Sequence, residues 1–405
     1  MSAGTTPPEI NMEEDEQLQQ FVSSMPKIEL HAHLNGCIRE ATLFELAKER
    51  GAELSTHHFG PPPTANGASV YSYSFMYNIQ PRSLEDCFEM FAEIPKCVDD
   101  KPSLERITRE ALDDFAQHHV VYLELRSTPK ILKGMSKKDY IETVLAVLKD
   151  FEMEEEARYQ RGLGRVKASS KLRLPMSIRF IVSIDRSVSP KEADENVSLA
   201  IEFFQKPGSL VVGVDVGGNP TKNDFRDFQG ALTTARNAGL KVTAHCGEVP
   251  VGESELEEHP KLRKSFQEVS AVLKFRPDRV GHALLLPASL RDDLCELRIP
   301  VESCPTSNVM TLELAKHVGG NLIHGLQQHP QLKYWLQNNY PISISTDDPG
   351  VFNTNATQEL LLLCRSWQVS QQQLQTIVVG SLEHAFCSND VKDRIRERMQ
   401  SFFSA

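Results

Sequence analysis

The chain has 405 residues, 40% of them hydrophobic, so it is long enough to bury a full core as one large domain or two ordinary ones. A formal net charge of −11 argues against a chain built to coat nucleic acid or an anionic membrane, while leaving room for a small anionic ligand. No run approaches the roughly 18 to 20 apolar residues needed to cross a bilayer, and a soluble protein is expected.

The N-terminus, MSAGTTPPEINMEEDEQLQQ, is acidic and Pro-containing and lacks a basic start and an apolar stretch of signal-peptide type. Residues 1–25 are therefore expected to be a disordered acidic tail, and residues 26–405 a single domain. Eight scattered cysteines without a CxxC pair fit reduced thiols in the cytosol.

Eight short β-branched runs follow, each separated from the next by a helix-period stretch. They span Ile28 to Leu34, Val120 to Thr128, Ser177 to Asp185, Leu210 to Gly218, Lys241 to Glu248, Arg279 to Ala283, Pro300 to Asn308 and Pro341 to Asp348. The helical pattern from Ser103 to His119 is expected to open on Ser103 as N-cap; KEADENVSLAIEFFQ and FRDFQGALTTARNAG also carry helical periodicity. Eight βα units predict an α/β (β/α)8 TIM barrel with extra helices. An open doubly wound sheet would call for a glycine-rich phosphate turn after the first strand, where this chain has HAHLNG. Two insertions, Ser55 to Arg82 and Arg158 to Leu174, are expected to be loops; the second carries six basic residues and no acid.

Reactive side chains of such a barrel belong at the carboxyl ends of its strands. There the sequence places His31 and His33, spaced by two so that both project from one strand face, then His245, His282, and the pair Asp347 and Asp348. Three imidazoles and a carboxylate make a donor set suited to zinc, and His31, His33, His245 and Asp347 are the expected ligands of one zinc ion per chain. Any one of these histidines alone would more often be a packing residue, but four such residues gathered at the ends of three strands are costly to bury without a shared purpose. Glu248, three residues beyond His245, could shuttle a proton to a substrate nitrogen or could be a helix first-turn glutamate. His282 and Asp348 could act on the attacking water, with Asp348 pointing to the opposite side of the strand from Asp347. The Asp347–Gly350 segment could otherwise be an ordinary strand exit.

The motifs HAHLNG, HCGE, GHA and STDDPG, in this order and at these intervals, resemble the adenosine/AMP deaminase group of the metal-dependent amidohydrolase superfamily, from about Pro26 to the C-terminal helices. The resemblance implies zinc on His31, His33, His245 and Asp347, Glu248 as proton donor to a purine ring nitrogen, and His282 and Asp348 orienting and activating the attacking hydroxide. Adenosine deaminases proper carry an Asp after the HxHL segment, where this chain has Asn35, and an amide there would not repel a 5′-phosphate. ELRSTPK places Ser127, Thr128, Pro129 and Lys130 at the barrel mouth as a phosphate cradle. HAHLNG with ELRSTPK is similar to the adenosine deaminase-like subgroup, plant members above all, which act on N6-methyl-AMP. In that subgroup the counterparts of Ser127 to Lys130, of Asp185 and of Gly218 bind the nucleotide, and Gly218 would let its backbone approach the purine edge.

Two departures stand out. The subgroup usually has a His where this chain has Pro95, and Ser55 to Arg82 is longer and richer in Tyr and Pro. The resemblance implies a hydrolase that converts N6-methyl-AMP to IMP and methylamine; the cysteine usage and charge add a cytosolic location without nucleic-acid or membrane partner, and monomer is the default because no exposed-stripe helix forces a dimer. Rival expectations are an adenosine or AMP deaminase, a two-metal amidase or lactonase (which typically wants a strand-four Lys, where Gly217, Gly218 and Asn219 stand) and a non-catalytic nucleotide-binding protein.

Overall fold

The computed structural model describes residues 12–55, 82–163 and 172–404. Eight strands form one parallel sheet in sequence order: β1 (Lys27–His33), β2 (Val120–Ser127), β3 (Ser177–Asp185), β4 (Val211–Gly217), β5 (Lys241–Cys246), β6 (Arg279–His282), β7 (Val301–Ser303) and β8 (Ile342–Ile344). Closure occurs just past β8, where His33 N–H donates to Asp347 O at 3.0 Å and Asp347 N–H to His31 O at 2.9 Å. The expected (β/α)8 barrel is therefore the observed architecture. Helices cover the outside, so the strands are buried on both faces and read as near-continuous apolar runs, VVYLELRS in β2 for example.

The charged residues inside those runs point into the barrel and build a buried ion network. Arg279 donates through Nε to Glu302 Oε1 (2.6 Å) and through Nη2 to Glu124 Oε2 (2.5 Å). Arg126 donates through Nη2 to Glu302 Oε2 (3.0 Å), and its Nη1 lies 3.4 Å from Asp215 Oδ1. Charges so deeply buried are tolerable only when mutually paired.

Several expected boundaries shift. The run Pro300 to Asn308 is a strand only to Ser303, because Pro305 lacks an N–H for the ladder and opens the helix Pro305–Thr311. The fifth strand stops at Cys246, since Gly247 turns the chain at φ +70°, and the eighth is confined to Ile342–Ile344. The helix expected from Ser103 spans Lys101–Gln117; its N-cap is Asp100, with Ser103 the reciprocal partner three residues in. The tail expected over 1–25 is corrected for residues 12–25, with 1–11 outside the described residues: Met12–Ser24 is a helix, Val22 and Met25 are fully buried, and Asp15 receives two 2.9 Å hydrogen bonds from Arg365.

Of the insertion expected from Arg158 to Leu174, residues up to Leu163 continue the helix Lys137–Leu163, and Arg158 and Arg173 both pair with Glu155. Most of the Ser55 to Arg82 insertion lies outside the described residues. All eight cysteines are free. No helix among the described residues is long and apolar enough to cross a membrane.

Candidate active site

At the carboxyl ends of the strands, His31, His33, His245 and Asp347 converge so that one donor atom from each lies within 4.8 Å of all the others. His33 Nε2 is 3.2 Å from both His31 Nε2 and His245 Nε2, and Asp347 Oδ1 is 3.4 Å from His31 Nε2 and 3.5 Å from His33 Nε2. Atoms about 2.0–2.1 Å from a tetrahedral ion are separated by roughly 3.4 Å, so these spacings suit a zinc-sized cation.

The far sides of the rings support the same reading. His31 Nδ1 is held by Glu302 Oε2 at 2.5 Å, and His245 Nδ1 by Asp215 Oδ1 at 3.1 Å and Val216 O at 3.0 Å. Occupying Nδ1 in this way leaves Nε2 turned into the cluster, the usual arrangement behind metal-binding histidines. Burial alone would raise the Glu302 carboxyl and lower the His245 imidazole. Arg126 and Arg279 instead hold Glu302 well below the usual range, and Asp215 pushes His245 up to about 9. Ser307 steadies the fourth donor, giving a 2.7 Å hydrogen bond to Asp347 Oδ2. A second grouping, His282, Cys304 and Asp347, shares that carboxylate, but burial drives the Cys304 thiol far up, away from the thiolate a metal requires.

His282 lies at the end of β6 with φ +63°, its Nε2 3.7 Å from Glu248 Oε1 and 3.9 Å from Asp347 Oδ2. Glu248 is not in a helix first turn, since no helix begins between β5 and Pro260, and it lines the same cavity. Asp348 departs from the expectation that it would point away from Asp347. Asp347 adopts φ +61°, the chain leaves the strand alternation, and both carboxylates face one cavity. Burial and then the neighbouring Asp347 charge raise the Asp348 carboxyl well above its ordinary value.

The cavity and the solvent space at its mouth together make up about 1000 Å³. His33, Asn35, Ser127, Thr128, Lys130, Asp185, Gly218, His245, Glu248, His282, Asp347 and Asp348 all line it; His31 lies beneath its floor, and Pro129 is buried outside its lining. Ser127 Oγ is already engaged with Tyr140 Oη at 2.7 Å. Lys130 has no ion-pair partner among the described residues, and burial lowers its ammonium pKa against the opposing pull of Asp185. Asp185 Oδ1 accepts from Ser187 N–H at 2.7 Å, and a Cβ on residue 218 would come within 2.9 Å of Asp185 Oδ2. Gly218, at φ +85°, is thus required by that close approach as well as by its backbone conformation. Pro95 sits in the turn Ile94–Lys96, on an adjoining cavity that shares Asn35 and Lys130 with the first.

Sequence reasoning missed the groups that hold the imidazoles (Glu302, Asp215, Asn308), Ser307 behind the Asp347 carboxylate, and an apolar wall from the helix Leu84–Glu93. Leu84, Cys87, Phe88 and Phe91 of that helix line the cavity, and their i, i+3, i+4, i+7 spacing was the available signal.

A parallel eight-stranded barrel bearing this donor cluster at its carboxyl end is an amidohydrolase-type barrel. The adenosine deaminase family model matches residues 26–402, and the chain belongs to that family, whose members are hydrolases of C–N bonds. It is 35% identical to the N6-mAMP deaminase of Arabidopsis thaliana, over 93% of this chain and 97% of that one, and 30% identical to the human N6-methyl-AMP deaminase, over 93% of each. The crystal structure of Arabidopsis ADAL complexed with IMP superposes with a TM-score of 0.72 at 33% identity, covering 94% of this chain and 98% of the other.

Proposed function

We propose that this protein hydrolyses N6-methyl-AMP to IMP and methylamine. The observation that carries the reading is the pairing, in one cavity, of the His/Asp cluster with its flanking Glu248, His282 and Asp348 and a rim formed by Asn35, Thr128 and Lys130. The names of the relatives and the IMP complex of a similar structure support the substrate assignment.

His31, His33, His245 and Asp347 would hold one zinc ion, which supplies a Lewis acid able to make water nucleophilic near neutral pH. His282 and Asp348 orient the attacking oxygen toward the purine carbon that bears the methylamino group. Glu248 delivers a proton to the adjacent ring nitrogen as the carbon–oxygen bond forms. The carbon–nitrogen bond then breaks, the methylamino nitrogen takes up the proton released by water, and IMP and methylamine result. Lys130 pairs with the 5′-phosphate, and Asn35 presents an amide where a carboxylate would repel that group. Phe88 and Phe91 shield the purine from water.

The test compares kcat/KM for N6-methyl-AMP, AMP, adenosine and N6-methyladenosine on purified zinc-loaded protein, with metal content measured in parallel. A clear preference for N6-methyl-AMP at one zinc per chain is expected. Preference for either nucleoside would overturn the phosphate assignment, preference for AMP would overturn the methylamino assignment, and two metals per chain would revive the amidase reading.

A further inference from the structure

Behind His282 runs a chain of buried hydrogen bonds that belongs to neither the metal cluster nor the cavity lining. His329, on the turn before the helix Leu332–Gln337, accepts at Nδ1 from two backbone N–H groups, Gln331 at 3.2 Å and Leu332 at 2.9 Å. A nitrogen accepting two N–H bonds carries no proton, so the neutral ring has its hydrogen on Nε2. Burial keeps that ring neutral, lowering its pKa to about 3. His329 Nε2 lies 3.2 Å from Asn308 Oδ1, and Asn308 Nδ2 lies 3.0 Å from His282 Nδ1. Asn308 is fully buried, and its amide has one consistent orientation, because the opposite one would set two donors against each other at His329. The amide therefore donates to His282 Nδ1, which must be unprotonated.

We infer that Asn308 and His329 are positioning residues that hold His282 as its Nε2–H tautomer, a permanent hydrogen-bond donor toward the attacking oxygen and not the base that removes its proton. The inference rests on the proposed deaminase reading only for the identity of that oxygen. The order of hydrogen bonds begins at two main-chain amides, which cannot reverse, so the polarity of the whole chain is set by the fold. Proton movement in the site is left to the carboxyl groups, Glu248 and Asp348.

The test is 15N NMR of histidine-labelled, zinc-loaded protein, with the His282 signals assigned by their loss in His282→Asn. An unprotonated Nδ1 and a protonated Nε2 are expected at neutral pH; the opposite tautomer, or an imidazolium, would overturn the inference. Asn308→Asp places an acceptor against Nδ1 and should transfer the proton there, lowering kcat by at least about 10²-fold while KM changes less than about threefold. His329→Gln, which keeps a donor for Asn308, should preserve the His282 spectrum and activity at zinc content equal to wild type, whereas His329→Leu should lose both. Unchanged spectra and kcat in Asn308→Asp and His329→Leu would also sink it. The spectrum is read without substrate, so a wrong substrate assignment would leave this outcome intact and separately visible.

Discussion

Gly36 and Asp348 touch so closely that a Cβ on residue 36 would stand 1.7 Å from Asp348 Oδ1. The short turn after β1 therefore defines where a carboxylate delivered by the end of the barrel can sit. Gly36→Ala is expected to displace Asp348 and to reduce kcat by about 10²-fold, since misplacing a reacting group by about 1 Å costs on that order. Steady-state kinetics beside a circular dichroism spectrum will check this, and a folded variant with wild-type kcat would show that the position of Asp348 is irrelevant.

Glu248→Gln keeps the shape of the side chain and removes its proton. The expected protein is folded and metal-loaded, with activity lower by at least about 10²-fold. Near-normal turnover would remove Glu248 from the mechanism.

Lys130→Ala tests the rim of the cavity. Its KM should rise far more for a nucleoside monophosphate than for the matching nucleoside, because only the former presents a charge to the lost ammonium. Equal effects on both would place the phosphate elsewhere.

Asp215→Asn leaves a hydrogen-bond acceptor behind His245 Nδ1 but removes the charge that makes the imidazole a strong donor. Zinc affinity should fall by about 10- to 100-fold, measured by competition with a chelator of known affinity. Unaltered affinity would mean that Val216 O alone orients the ring.

Glu359 offers a pH signature away from the metal cluster. Burial pushes its carboxyl from the ordinary 4.5 to about 7, although Thr306 N–H and Thr354 Oγ1 donate to it. Between those values the folded protein holds a proton that the unfolded chain has released. This group's contribution to stability is therefore full below the lower value, falls as pH rises through the window, and is level above about 7. Glu359→Gln mimics the protonated form and should raise Tm near pH 8 while leaving it unchanged near pH 4. Equal shifts at both pH values would contradict the assignment.

The barrel was legible because a parallel strand buried on both faces and an amphipathic outer helix leave distinct periodicities. The cluster was legible because His31 and His33 repeat the two-residue period of a strand, while His245 and Asp347 stand at the ends of apolar runs. Local chemistry hid other features. Pro305 converts the expected strand end into a helix, and this turn carries Ser307 to Asp347 and Asn308 to His282. The two ends of the basic segment, Arg158 and Arg173, had no visible partner within it because Glu155, which meets both, lies just before it.

From its own residues, the chain determined which side chains can bind a metal, hand over a proton or meet a phosphate, and in what order the strands present them. Only the closed barrel decided how those side chains are held. Glu302 meets His31 across 271 residues, and Asp215 meets His245 across 30. Strand alternation states which way a residue points, but not which neighbour waits there. That depends on the register of β1 against β8 at closure and on the left-handed turn at Asp347, which brings Asp348 into the same cavity as its neighbour.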